Sequence, residues 1–195
     1  MIGTVAALRP EKNLSRLLHA FRLAANRQPS RLVIVGDGPE LTSLQQLASE
    51  LQLADRVSFV GATVTPEAYY PSFDIFALSS DTEQMPLSVL EAMAAGLPIV
   101  ATKVGDIASM VATENDRFVF GREASVLAQN LQTLISDPDL RRRLGDANQA
   151  KAFQCYSEAE MHKAYSRLLE APVWTQLMAG LMRDCDVRPG AARNA

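Results

Sequence analysis

The sequence predicts an α/β fold, a parallel and doubly wound sheet followed by helices alone. Three observations carry this. Five or six short apolar runs lack polar alternation, as strands covered on both faces do. Most are followed by a stretch with apolar residues at helical spacing, the alternation that builds parallel sheets. From residue 124 onward only helical patterns remain.

Residues 2–8 form the first run. The loop Arg9-Pro10-Glu11-Lys12 follows, and Asn13 suits the N-cap of a helix over 14–26, with Leu14, Leu17, Leu18, Phe21 and Ala25 on one face. A second strand over 31–35 ends in the tight turn Gly36-Asp37-Gly38-Pro39, which opens a helix over 40–51. A third strand, 57–60, stops at Gly61, and 66–72 reads as a short helix. The fourth and fifth strands are 74–78 and 98–102, with a loop and short helix over 105–112 and a weak sixth strand at 117–120. Helices then cover 124–135, 138–154 and 157–170, with Asp137 and Ser157 as caps. The tail carries Trp174, Leu177, Met178, Leu181 and Met182 at helical spacing and turns small and polar after Asp186. The division expected is one domain over 1–171 and a partly disordered helix and tail over 172–195.

The stretch 79–100, SSDTEQMPLSVLEAMAAGLPIV, is the centre of the pattern. A loop leaves the fourth strand, and a helix starts near Leu87, just behind Pro86. Gly96 and Pro98 stop that helix. Leu87, Leu90, Ala94 and Leu97 share its helical spacing with Glu91, so one carboxylate falls in an apolar stripe and is expected to be buried with a partner. Glu83 lies eight residues before Glu91, on the loop. Between them the helix start offers free N–H groups and the positive end of the dipole.

Composition narrows the function. A chain of 195 residues, 48% hydrophobic and 21% charged, is ordinary for a soluble domain with a core. Net charge −3 provides no basic field for nucleic acid or anionic membrane. No signal pattern and no apolar run of spanning length is present, and Cys155 and Cys185 are isolated thiols, so a reducing, cytoplasmic setting is expected. No metal site is expected, because neither cysteine has a histidine at ligand spacing. His19 and His162 sit in helical patterns and read as surface or packed residues.

Doubly wound sheets bind ligands at the carboxyl ends of strands where the strand order reverses. In the order 3-2-1-4-5-6 the loops after strands one and four are neighbours, which brings Arg9 and Lys12 to the crevice that holds Glu83 and Glu91. Taken alone, each residue has a plainer reading. Arg9 and Lys12 suit a diphosphate or an ordinary solvated loop. Glu91 suits a ribose diol, a structural ion pair or a helix-face carboxylate reaching solvent, and Glu83 a second sugar or a plain loop acid. Gly36-Asp37-Gly38 is too short for a dinucleotide fingerprint and reads as a turn bordering the crevice. Ser79 and Ser80 have no histidine placed to activate them.

The ordered set TVAALRPEKN, RLVIVGDGPE, RVSFVG, DIFALSS, EQMPLSVLEAMAAGLPIVAT and VGDI resembles the C-terminal, donor-binding domain of GT-B glycosyltransferases. It is most similar to the retaining family 4, the glycosyl transferases group 1, over residues 2–169. Glu83 and Glu91 match its E-x7-E motif. The resemblance implies a Rossmann-like donor domain that binds a UDP- or GDP-sugar and transfers the sugar with retention and without an obligatory metal or other cofactor. It places Lys12 on the diphosphate, Glu83 on the hydroxyls of the transferred sugar and Glu91 on the ribose. Leu87 and Ser88 would offer backbone N–H groups to phosphate, and Thr63 and Val64 would border the base.

Some positions depart from the family pattern. An arginine usual beside the first strand is replaced by Ala7, with Arg9 as candidate stand-in. The usually Gly-rich loop reads Gln84-Met85-Pro86, and the usual Gly-Gly and later Glu appear as Gly105-Asp106 and Ala108-Ser109. GT-B enzymes close their site with an N-terminal domain, which this stretch does not supply. The expected partners are therefore a sugar or lipid-linked acceptor and an N-terminal domain in trans, with peripheral placement at the inner membrane face through that domain and a role in polysaccharide biosynthesis. Little activity is expected of the chain alone. The alternative is a non-enzymatic nucleotide-sugar-binding module or an inactive fragment. The related isomerases and phosphorylases need catalytic groups for which no positive sign is present.

Overall fold

The computed structural model describes residues 1–25 and 28–170. The chain divides into two compact units, Met1–Gln154 and Cys155–Ala195. The first holds a six-stranded parallel sheet in the order β3-β2-β1-β4-β5-β6. Its strands are β1 (Ile2–Val5), β2 (Leu32–Val35), β3 (Val57–Gly61), β4 (Ile75–Leu78), β5 (Ile99–Thr102) and β6 (Val119–Phe120). This is the predicted order, with the reversal between β1 and β4.

The strands are short because their apolar runs are short, and burial follows position in the sheet. β4 and β5 are buried at every residue, whereas β3, at the edge, alternates with Ser58 and Val60 exposed. β1 ends at Val5 rather than Leu8. Beyond it Ala6 N–H still donates to Val35 and Leu8 N–H to Asp37, so the run continues as a loop zipped to the turn after β2.

Helices cover both faces. On one, α1 (Leu14–Ala24) packs beside α5 (Ala124–Ser136), burying Leu17, Leu18 and Phe21 against Leu127 and Leu131. The helical spacing read in α1 is the face that is buried, and Asn13 caps it by accepting from Arg16 N–H. α2 (Leu41–Glu50) adds Leu44 and Ala48. On the other face, α3 (Leu87–Ala94) buries Val89, Ala92 and Met93. That differs from the predicted stripe. Leu87 is 70% exposed, Glu91 is exposed, and Leu90 and Ala94 are half-buried; of that stripe only Leu97, just beyond the helix, is buried. The core side is the row Val89, Ala92 and Met93.

The segment Pro66–Ser72 is a 3-10 helix, with Pro71 inside it. Beyond β5, α4 (Ile107–Met110) and the 3-10 segment Thr113–Phe118 lead to β6. α6 (Pro138–Cys155) follows α5, and Asp137 caps its start by accepting from Leu140 N–H. A buried asparagine pair ties these parts to the sheet. Asn115 bonds both the N–H and the C=O of Ile99, while Asn148 accepts from Ala112 N–H and donates to Leu97 C=O and to Asn115.

In the second unit, α7 (Glu158–Glu170) starts at Ser157, whose hydroxyl accepts from Glu160 N–H. Cys155 is a free, exposed thiol. Cys185 and the tail read from 172 onward lie outside the described residues. No helix among the described residues is long and apolar enough to cross a membrane.

Candidate functional site

The loops leaving β1 and β4 meet where the strand order reverses. Lys12 closes the short 3-10 turn Pro10–Lys12, and its Nζ donates to Glu83 Oε1 at 2.6 Å. The Lys12 side chain is 23% exposed and that of Glu83 8%, so the pair sits in a recess with its cation nearer solvent. Ser80 Oγ donates to the same carboxylate oxygen at 2.6 Å, and Thr102 Oγ1 holds the Ser80 carbonyl at 2.6 Å.

Arg16 fixes this loop from below. Its guanidinium donates to Ser79 C=O and to Asp81 Oδ1, each at 2.6 Å. Asn13 Nδ2 takes the second Asp81 oxygen at 2.8 Å, and Arg122 reaches the Asp81 carbonyl at 2.7 Å. The hydrogen bond from Arg16, with help from Asn13 and the charges of Arg16 and Arg122, holds the Asp81 carboxyl below the usual aspartate range. Ser79 Oγ donates back to the Asn13 and Lys12 carbonyls. Both serines are thus committed as hydrogen-bond donors, in keeping with the absence of a nucleophile constellation.

Glu91 stands on the exposed side of α3 and accepts a 2.6 Å hydrogen bond from Tyr70 OH at Oε2. Of the sequence readings this is the helix-face carboxylate reaching solvent, not the ion pair or the buried carboxylate. Burial first, and the bond to Glu91 second, push the Tyr70 phenol well above its ordinary value, so it stays a donor. α3 starts behind an extended Pro86 with no side-chain cap, which leaves the Leu87 and Ser88 N–H groups as a bare first turn.

Arg9 is exposed, and no side-chain partner holds it. Val64 is 97% exposed beside the half-buried Thr63. A cavity of about 330 Å³ runs from Ala6 and Ala7 across Gly36 and Asp37 to Thr63 and Pro66. Gly36 makes this recess possible. Its φ is +138°, and a Cβ there would collide with the Ala6 carbonyl. A second cavity of about 370 Å³, lined by Met1, Arg31 and Arg56 among others, opens at the amino ends of the strands and holds none of the residues above. Chemistry, not size, selects the carboxyl edge. Among the described residues no His, Cys, Asp and Glu group is arranged to hold a metal ion.

The structure therefore brings Lys12 and Glu83 into contact and gives Glu91 a separate anchor. Arg16, Asp81, Ser80 and Tyr70 were missed from sequence. Arg16 had left a signal, since a cation in the first turn of a helix opposes the dipole unless a carboxylate meets it. So had Tyr70, whose hydroxyl needs a partner once its ring is buried.

The sheet order, with the Lys12–Glu83 contact at its switch point, defines a Rossmann-like α/β protein. The model of the family "Glycosyl transferases group 1" matches residues 1–151, and the chain belongs to that family. It is 34% identical over 182 residues to the D-inositol 3-phosphate glycosyltransferase of Corynebacterium jeikeium, covering 86% of this chain and 43% of that protein. It is 33% identical over 148 residues to an uncharacterized glycosyltransferase of Haemophilus influenzae, covering 74% of this chain and 42% of the relative. The fold is that of GT-B glycosyltransferases. Anabaena Alr3699/HepE, solved in complex with UDP, matches with a TM-score of 0.79 at 24% identity, over 87% of this chain and 48% of that one. The chain thus spans less than half the length of these proteins.

Proposed function

We propose that this chain is the donor-binding part of a retaining glycosyltransferase and holds a UDP- or GDP-sugar at the carboxyl edge of its sheet. The observation that carries the reading is the Lys12–Glu83 contact, with Glu91 eight residues further along the same loop and helix. Lys12, the exposed Arg9 and the bare N–H groups of Leu87 and Ser88 suit a diphosphate. Glu83 suits the sugar hydroxyls, Glu91 the ribose diol, and the recess beside Thr63 and Val64 the base. The Anabaena protein was solved with UDP and with UDP-glucose, which supports this class of donor.

In transfer, the bond from the sugar C1 to the diphosphate oxygen breaks and a bond to the acceptor oxygen forms on the same face. The departing diphosphate oxygen takes the acceptor proton. Lys12 and the α3 N-terminus stabilise the charge that develops on the diphosphate, which makes a metal unnecessary. The acceptor, sugar or lipid-linked, would meet a second domain supplied in trans. Without that wall, water exclusion and acceptor positioning are missing, and activity of the chain alone should be small. Such a chain would work in the cytoplasm, at the inner membrane face where a partner domain brings it there.

Calorimetric titration with UDP, GDP, ADP and their sugar conjugates, with and without EDTA, tests the reading. Saturable binding of one nucleotide class, indifferent to EDTA and weakened in Lys12→Ala and Glu91→Ala, is expected. A folded chain that binds none of them would overturn it.

A further inference from the structure

We infer that Tyr70 is a positioning residue, holding the Glu91 carboxylate in the one orientation that receives the ribose hydroxyls of the nucleotide. The inference rests on the reading of Glu91 as the ribose contact. An exposed glutamate on a helix samples several rotamers, and ordering it on binding costs conformational entropy. Glu91 is already ordered, because Tyr70 OH donates to its Oε2 at 2.6 Å.

The donor is itself fixed by the core. Tyr70 is 2% exposed, and its ring lies 6.0 Å from that of Phe73 at 76° and 5.9 Å from that of Phe76 at 41°. Phe76 belongs to the middle of β4, so the hydroxyl position is referred to the sheet rather than to a loop. The phenol stays protonated, as burial and the Glu91 bond both dictate.

The hydrogen-bond inventory then decides what Glu91 can still do. An ionised carboxylate has about four acceptor sites, of which Tyr70 occupies one at Oε2. Oε1 is left to accept, with one further site on Oε2. A ribose presents two adjacent hydroxyl donors, and a 2′-deoxyribose one. The geometry therefore favours ribonucleotides over their deoxy counterparts, with Tyr70 as the residue that makes the difference sharp. Tyr70 also lies in the segment Pro66–Ser72 that begins behind Thr63 and Val64, so it links the side read as bordering the base to the helix read as holding the ribose.

The test is calorimetric titration of the whole chain with UDP and GDP, each beside its 2′-deoxy counterpart, in wild type, Tyr70→Phe, Glu91→Ala and the double variant. Tyr70→Phe keeps the ring and removes one oxygen, and circular dichroism and melting check the fold. The expected result is a loss of about tenfold for the bound ribonucleotide and a smaller loss for its deoxy form, which keeps one hydroxyl for Glu91, so that the preference falls toward one. In the Glu91→Ala background the same substitution should have no further effect. A wild-type preference that survives in Tyr70→Phe overturns the inference alone and leaves the donor site standing. Equal losses for both nucleotides would make Tyr70 merely structural and also overturn it. Failure of the folded wild type to bind any nucleotide overturns the donor-site reading and this inference with it.

Discussion

Lys12 Nζ and Glu83 Oε1 lie 2.6 Å apart although 71 positions of chain separate them. The contact exists because β1 and β4 are neighbours in a sheet whose strands come from distant sequence. It also means that, without a ligand, the cation proposed for the diphosphate is already shared with a carboxylate. A diphosphate must compete with Glu83 for Lys12. Glu83→Gln should therefore bind UDP, if UDP is the nucleotide, a few-fold more tightly, on the order of the ~1 kcal/mol that a partly exposed ion pair contributes. The same variant should lose the added affinity of the UDP-sugar over UDP, because the sugar hydroxyls lose a charged acceptor. Parallel titrations with the two ligands check both signs, and weaker UDP binding in Glu83→Gln would contradict the shared-cation argument.

Asp81 ties the loop after β4 to the loop after β1, and its ionisation should be visible in stability. Its folded-state pKa lies below the ordinary 3.8, chiefly through the Arg16 hydrogen bond. A lowered carboxyl pKa contributes stability that is fully present above the unfolded value and is lost as pH falls through the folded value. Asp81→Asn should therefore melt below wild type at pH 6, and the gap should narrow as pH drops below about 3.8. Melting curves of the two proteins at pH 6 and pH 3 measure it. A gap that widens toward pH 3 would assign the destabilisation to something other than the charged clamp.

Gly105 supports the same loop from the other side. Its φ is +53°, and a Cβ there would collide with the Gln84 and Glu83 carbonyls. The neighbouring Asp106 N–H donates to Gln84 C=O at 2.8 Å. Gly105→Ala should destabilise by about 1–3 kcal/mol through backbone strain and clash. It should also weaken UDP-sugar binding more than UDP binding, since the displaced residue is Glu83 and not Glu91. Urea unfolding and the paired titrations separate the two effects.

Much of this could be read from the sequence, for physical reasons that differ by element. The strands were legible because parallel strands buried on both faces become unbroken apolar runs, as at Ile75–Leu78 and Ile99–Thr102. That Lys12 and Glu83 face one crevice followed from the strand order; that they pair did not. Glu91 was read on the wrong side of its helix. Leu87 and Leu90 looked like core residues, but the helix turns Val89, Ala92 and Met93 to the interior instead. Arg16 signalled the need for a carboxylate, but which one was not legible, because the clamp joins residues 65 positions apart through side chains whose types suit any surface. Tyr70 was missed because its hydroxyl partner is set by a turn of 3-10 helix, whose phase periodicity does not give.

The asparagine pair at the start of β5 is expected to matter for folding and not for the ligand. Asn148 is fully buried, and its amide meets three groups, Ala112 N–H, Leu97 C=O and Asn115 Oδ1. Asn148→Ala removes the partner of Ala112 N–H and of Leu97 C=O, at about 1–3 kcal/mol for each group left unsatisfied, while Asn115 Oδ1 keeps the Ile99 N–H. Asn148→Asp is the sharper test. Its carboxylate can still accept from Ala112 N–H, but it puts a negative charge against two acceptor oxygens in a buried site. Desolvation and repulsion must raise that carboxyl pKa in the folded state. The penalty is then greatest above the folded-state value and shrinks as pH falls toward the unfolded aspartate value of about 3.9. Between pH 7 and pH 4 the Asn148→Asp variant should gain stability relative to wild type, while Asn148→Ala should show no such gain. Nucleotide affinity of the folded fraction should match wild type in both, because no donor-site residue touches Asn148. A difference between the two variants that does not depend on pH would show that the network tolerates the charge.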